Sequence, residues 1–201
     1  FNVKIKDDKT IFGMAKFDLQ HPRTRDFMNE WVYHKLLGNN DLINLRYKFL
    51  NIFINGTPKP IYALEEAFDK RLLENNKYRE GLIFKIEENQ NYEVIPYNRK
   101  KVLNDDNFRF QYYEVLKRIK LFNEGKINAE DIINIKKFGA IVAIADLLGN
   151  DHPILPPNIR FYFNPITGLI EPIGHDNQWI KPLNELAITR ATKDSSITKD
   201  N

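Results

Sequence analysis

One run of apolar residues at helical spacing limits the possible folds more than any other feature: Ile132, Ile133, Ile135, Phe138, Ile141, Val142, Ile144, Ala145 and Leu148, followed shortly by two strand-like segments. The run is apolar on most of its faces, which predicts a buried helix rather than a surface one. It delivers Gly149-Asn150-Asp151 from the core to the surface of a rigid scaffold, where functional loops tend to sit. Ile159-Arg-Phe-Tyr-Phe163 alternates like a strand, Asn164-Pro-Ile-Thr-Gly168 reads as a turn, and Leu169-Ile-Glu-Pro-Ile173 reads as the returning strand. If the two pair, Asn158 starts one and Asp176 ends the other, so both fall at the same end. Asp151 can join them from the preceding loop, which Pro153, Pro156 and Pro157 stiffen.

Asp151, Asn158 and Asp176 offer oxygen ligands only. Such a set suits a hard cation such as magnesium, which keeps several waters and bridges substrate phosphates. Aspartate and asparagine are also ordinary turn residues, so the same triplet is compatible with a plain hairpin end. Phosphoryl transfer needs a cation between phosphate oxygens, a lysine to position them and an acid near the attacking hydroxyl. On that scheme Asp176 is the metal carboxylate and Asn158 the second ligand or its support. Asp151 is the catalytic acid that orients, or takes the proton from, the acceptor hydroxyl. Its structural alternative is to cap the loop.

The remaining sequence reads as two lobes. Residues 1–20 predict two strands around Asp7-Asp8-Lys9, and Thr24 to about Leu37 predicts a helix ended by Gly38-Asn39-Asn40. Arg46–Asn55 and Ile61–Leu64 predict a hairpin through Asn55-Gly56-Thr57-Pro58. Glu65 to Glu74 reads as a short helix, Gly81–Ile95 as a small hairpin around Glu87–Asn91, and 96–106 as a polar linker. From Asp105 to Gly149 the pattern is mainly helical, with Phe108–Phe122 amphipathic and Asn128 a cap. The expected organisation is an α+β fold of one domain: a small lobe over 1–70, an insert or linker over 71–105 and a larger lobe over 106–201.

A chain of 201 residues can bury a real core. With 30 Lys and Arg interspersed among 27 Asp and Glu, nothing marks a nucleic-acid surface. The lack of cysteine excludes disulfides, thiolate zinc and a cysteine nucleophile. No apolar run reaches the roughly 18 residues of a membrane span. The chain opens at Phe1 with neither methionine nor signal peptide, so we read it as a mature or trimmed fragment, short of helices at its C-terminus; the polar tail 192–201 is expected to fray.

Several stretches, in order, resemble the CotH kinase family, atypical secretory kinases named after a spore-coat protein. They are Phe1-Asn-Val-Lys-Ile-Lys6, then Phe12-Gly-Met-Ala-Lys-Phe-Asp-Leu19, then Arg25 with the helix behind it. Phe49-Leu-Asn-Ile-Phe-Ile-Asn-Gly56 with Ile61-Tyr-Ala-Leu-Glu-Glu66 is similar to the family's "vyvNGxYxGlYxltE", and Gly81-Leu-Ile-Phe-Lys85 to its "dGxlYK". The resemblance implies a two-lobed atypical protein-kinase fold using ATP and magnesium, with manganese as a substitute, to phosphorylate serine or threonine of a protein. It implies the same roles for Asp151, Asn158 and Asp176, and an exported or cell-surface bacterial protein. Lys16 stands where a kinase-like small lobe places its phosphate lysine, with Glu30 on the next helix as its partner. Lys85 is the rival lysine. Glu66 ends the strand leading to the hinge, near adenine or a lysine, and Glu65 is expected to be a solvated acid at a helix start.

The chain departs from the family where "WDxD" is replaced by Gly174-His175-Asp176-Asn177 and where the loop to Asn158 is longer. Two alternatives follow. A non-catalytic surface binding module could present Tyr112, Tyr113 and Trp179. A zinc or manganese hydrolase could use His152, His175, Asp151 and Asp176, although no HxH or HExxH spacing supports it.

Overall fold

The computed structural model describes residues 1–7, 9–88, 92–156 and 158–181. The tail 192–201, Asp8 in the first expected turn, residues 89–91 at the tip of the second hairpin and Pro157 lie outside the described residues. The fold is mixed α+β, with two four-stranded antiparallel sheets and five α-helices among the described residues.

The first sheet has the order β1-β2-β4-β3, from β1 (Asn2–Lys4), β2 (Lys16–Gln20), β3 (Tyr47–Ile54) and β4 (Thr57–Glu66). Asn55 and Gly56 close β3 onto β4 with φ of 51° and 76°. Two positive φ values give the turn whose twist matches that of paired strands, and Asn-Gly adopts them at low strain. The helix expected from Thr24 begins later. Pro22–Arg25 is a 3-10 turn, Asp26 and Phe27 have positive φ, and α1 runs Asn29–Asn39. The helix expected from Glu65 is displaced in the same way. Glu65 and Glu66 stay in β4, registered against Asp18 and Phe17, and α2 (Lys70–Asn75) starts only after Asp69 accepts the Arg71 N–H at 2.8 Å.

The second sheet has the order β6-β5-β7-β8, from β5 (Ile83–Glu88), β6 (Tyr92–Pro96), β7 (Arg160–Phe163) and β8 (Ile170–Ile173). The segment expected as an insert thus supplies two strands, because Leu82, Phe84, Val94 and Val102 pack into the same core as Phe161 and Phe163. Helices α3 (Arg99–Asn104) and α4 (Asp106–Asn123) follow, Asp105 capping α4 through the Asn107 and Phe108 amides at 3.0 and 3.2 Å. Helix α5 (Ile135–Leu147) buries Ile141, Ile144 and Ala145 but exposes Leu147, so it is less enclosed than its composition suggests.

A parallel bridge from Ile43 to Ile173 links the two halves. Around it, Leu45, Leu72, Leu73, Ile83 and Tyr162 form a shared apolar cluster, and Tyr33, Leu37, Ile141, Ile144 and Leu148 clamp α1 onto α5. No helix among the described residues is long and apolar enough to cross a membrane.

Candidate active site

Strand β7 pairs with β8 in the register Arg160↔Ile173 to Phe163↔Ile170, around the turn closed by Gly168 N–H to the Asn164 carbonyl at 2.8 Å. The open end therefore carries Asn158 and Asp176 together, as the alternation requires. The segment after β8 lies directly on α1. A Cβ added at Gly174 would come within 2.5 Å of Leu37 Cδ1 and 2.7 Å of the Tyr33 hydroxyl, so only glycine allows this approach.

Asp176 has φ of 70°, an uncommon value for a residue with a side chain. Glu30 in the first turn of α1 holds it there. Its Oε1 accepts the Asp176 N–H at 3.0 Å and its Oε2 accepts the Asn177 N–H. Glu30 is fully buried. His34, one turn on, places Nε2 3.0 Å from Glu30 Oε1, and its Nδ1 lies 3.2 Å from the Leu45 backbone nitrogen. A second lock joins the two loops: the buried Asn150 amide donates to Asn177 Oδ1 and to the Trp179 carbonyl, both at 2.8 Å, and its oxygen accepts the His152 N–H at 3.0 Å.

The Asp176 carboxylate receives Arg25 and Gln178 on Oδ1, and His152 Nε2 lies 3.4 Å from Oδ2. Asn158 Nδ2 lies 3.2 Å from the same imidazole nitrogen and donates to the His152 carbonyl at 3.0 Å. Asp176 and Asn158 thus converge on one point. Asp151 stands at the start of the same loop, half-buried; its carboxylate caps nothing and forms no hydrogen bond or ion pair among the described residues.

Glu65, expected at a solvated helix start, is buried at the end of β4. Its Oε1 lies 2.9 Å from His175 Nε2, and Oε2 accepts from Gln20, with Arg25 Nε 4.0 Å away. Burial alone would raise this carboxyl, but the hydrogen bond from His175 and the charges of His175, Arg25 and His34 outweigh it and bring it down to about 2. Arg25 therefore bridges the acid of β4 to the acid after β8.

The remaining candidates lie around this core. Lys16 is exposed at the start of β2 and has no ion pair among the described residues, so it does not meet Glu30, which the 176–177 amides occupy instead. Lys16 lines a cavity of about 450 Å³ with Phe68, Tyr97 and Phe108. Lys85 pairs with Glu87 and lines a second cavity of about 470 Å³, which shares Tyr97 and Asn98 with the first. Glu66 is buried against Arg46, not a lysine; the guanidinium also donates to the Phe12 carbonyl at 2.9 Å. Trp179 stacks beside His152, with ring centroids 5.2 Å apart. Tyr112 packs against the core while Tyr113 is exposed.

Two expectations are corrected here. The histidines do not share a site, since His152 faces Asp176 and His175 faces Glu65. Among the described residues no three His, Asp or Glu side chains form a metal-holding group, so the transition-metal hydrolase arrangement is absent. The Lys16–Glu30 pair is likewise replaced by the Glu30 clamp. A magnesium ion that keeps most of its waters needs as little as one carboxylate, and Asp176 with Asn158, both near His152 Nε2, are the side chains that would serve it.

The sequence reading passed over Asn150, Asn177, His34 and the true place of Glu65. Only one signal for them was visible, the spacing of Glu30 and His34 by one helical turn. No protein-family model matches this sequence, and no curated protein matches it.

Proposed function

We propose that the chain is a phosphoryl transferase of the CotH kinase type, moving the γ-phosphoryl group of ATP to a protein hydroxyl. On this reading the first sheet with α1 acts as a kinase-like small lobe and the second sheet with α3 to α5 as the large one. The observation that carries the proposal is that Asp176 and Asn158 both approach Nε2 of His152, the residue next to Asp151, whose carboxylate has no partner among the described residues. An unpaired, half-buried carboxylate is free to orient an alcohol, whereas structural acids in this molecule are all tied to cations or amides.

The roles follow from position. Lys16 attracts the phosphates of a nucleotide seated in the cavity between β2 and the 68–71 segment, whose lining includes the Phe68 and Tyr97 rings packed on each other at 4.8 Å. Phe68 also packs edge-on against His175 at 5.2 Å, which places this cavity next to the Asp176 segment. Asp176 and Asn158 would hold magnesium, which when bound would supply positive charge to the phosphate oxygens. Asp151 orients the acceptor hydroxyl and takes its proton as the new O–P bond forms and the bond to the β-phosphate breaks, releasing ADP. Glu30 keeps Asp176 in its left-handed conformation.

A second reading has its own support. Arg25 and His152 already compensate Asp176, which suits a fold kept as a surface binding module. Titration calorimetry with ATP and magnesium separates the two. Phosphoryl transfer requires magnesium-dependent binding that Asp176→Asn abolishes while the melting temperature holds. No heat with any nucleotide, or unchanged affinity in the variant at saturating magnesium, would overturn the kinase reading in favour of the binding module.

A further inference from the structure

The two cavities sharing Tyr97 and Asn98 concentrate positive charge. Their linings carry Lys16, Lys70, Arg71, Lys85, Arg99, Lys100 and Lys101 against two carboxylates, Asp69 and Glu80, an excess larger than the +3 of the whole chain. Glu80 is already bound to Lys101 and Asp69 is used by the Arg71 amide. Arg99 and Lys100 are exposed and form no ion pair among the described residues. A low-dielectric recess edged by one sign of charge focuses its field and collects the opposite ion.

The second cavity also leads to the reacting groups. Tyr97 in its wall accepts a hydrogen bond from Arg160, and Arg160 donates in turn to the Asn158 carbonyl at 2.6 Å. The guanidinium lies 5.6 Å from the Phe68 ring and 5.9 Å from the Tyr97 ring, which fixes it between the cavity and the Asp176 segment. Arg160 thus links the wall of this cavity to Asn158.

We propose that the cavity lined by Lys85, Ile95, Pro96, Tyr97, Arg99 and Lys100 receives an acidic segment of the acceptor protein, next to the hydroxyl to be phosphorylated. This rests on the phosphoryl-transfer reading for its purpose, though not for the binding itself. Ile95, Pro96 and Tyr97 give the recess an apolar floor, and the unpaired cations at its rim select aspartate and glutamate side chains. Of the cations counted above, Lys85, Arg99 and Lys100 line this recess; Lys85 is paired with Glu87, which leaves Arg99 and Lys100 to meet the carboxylates of a short acidic peptide.

The test uses the full chain and two fluorescent serine peptides, one flanked by aspartates and one by lysines. Anisotropy should show binding of the acidic peptide alone, weakening as salt is raised. The double variant Arg99→Glu, Lys100→Glu should weaken it by about tenfold or more, since each reversal removes an attraction and adds a repulsion at an exposed rim. In a transfer assay the same variant should raise KM for the acidic peptide by a similar factor and leave kcat and the KM for ATP unchanged. Acidic-peptide binding without transfer to any peptide would refute the kinase reading and leave the recess assigned. Equal binding of both peptides, unchanged affinity in the variant, or a short RNA that displaces the peptide at lower concentration would overturn the acidic-segment proposal.

Discussion

At the turn end of the β7–β8 hairpin, Glu171 is 1% exposed and shared between Lys137 and the Asn164 amide, while at the open end Asp176 is shared among Arg25, Gln178 and His152. Both ends bury a carboxylate beside a cation. The turn end is closed, with Tyr78 also bonded to Lys137. Burial would lower the Lys137 ammonium, but its hydrogen bonds to Glu171 and Tyr78 outweigh that and raise it. The open end leaves groups over: Asp151 has no partner, and Arg25 Nε, His175 Nδ1 and the Tyr33 hydroxyl are buried without hydrogen bonds. Unspent polar groups inside a fold are costly, and the open end holds these three where the turn end holds Arg118 Nε, whose guanidinium lies beside Gly168.

The comparison is broken most directly at Asp151. If the open end does chemistry, Asp151→Ala should lower the transfer rate by roughly a hundredfold or more, with ATP affinity near wild type, because proton handling matters only in the transition state. A parallel loss of affinity would make Asp151 a metal ligand. A lower melting temperature with full activity per folded molecule would make it a loop cap. Labelled ATP with a calorimetric titration and a melting curve reads all three.

The opposite pattern is expected at the turn end. Glu171→Ala strands the Lys137 ammonium, and losing one partner of a buried pair costs several kcal/mol; Lys137 retains some solvent access, so the loss should be about 2 kcal/mol. Activity per folded molecule should persist, since Glu171 belongs to the end far from Asp151. Denaturant unfolding beside the transfer assay checks this. An activity loss larger than the unfolded fraction explains would show that the two ends are coupled.

What was legible in the sequence divides along the same line. Arg160–Phe163 and Leu169–Ile173 are short, largely apolar runs on either side of a turn ending in Gly168, so the hairpin, and with it the meeting of Asn158 and Asp176, could be read directly, although the strands are buried on both faces rather than alternating. The Asn55-Gly56 turn was readable for the same local reason. The Glu30 clamp was not. It joins residues 146 positions apart through backbone amides, and no side-chain pattern announces which amides a distant carboxylate will hold. Glu65 and Glu66 resembled a helix start because local propensity carries no information about the partners, His175, Arg25 and Arg46, that bury them in a strand. The displaced start of α1 has a local cause instead: Asp26 and Phe27 take positive φ where their N–H groups close the 3-10 turn onto the Arg23 and Pro22 carbonyls.

The smallest effect should come from Glu65, which ties the first sheet to the segment after β8. Its carboxyl, ordinarily near 4.5, is brought to about 2 by His175, Arg25 and His34 against the opposing pull of burial. The folded state is thus the stronger acid. The stabilisation is fully present above about pH 4.5 and is lost as the pH falls toward about 2. Between pH 6 and pH 3 the wild type should lose roughly 2 kcal/mol through this group, about 5 °C in melting temperature for a chain of this size. Glu65→Gln keeps an acceptor for His175 but has no proton to gain, so it should melt lower at pH 6 and approach the wild type at pH 3. Parallel melting curves for the two proteins across that range would show instead that the Glu65 bridge contributes nothing through its charge, leaving the Glu30 clamp and the Asn150 lock to hold the open end.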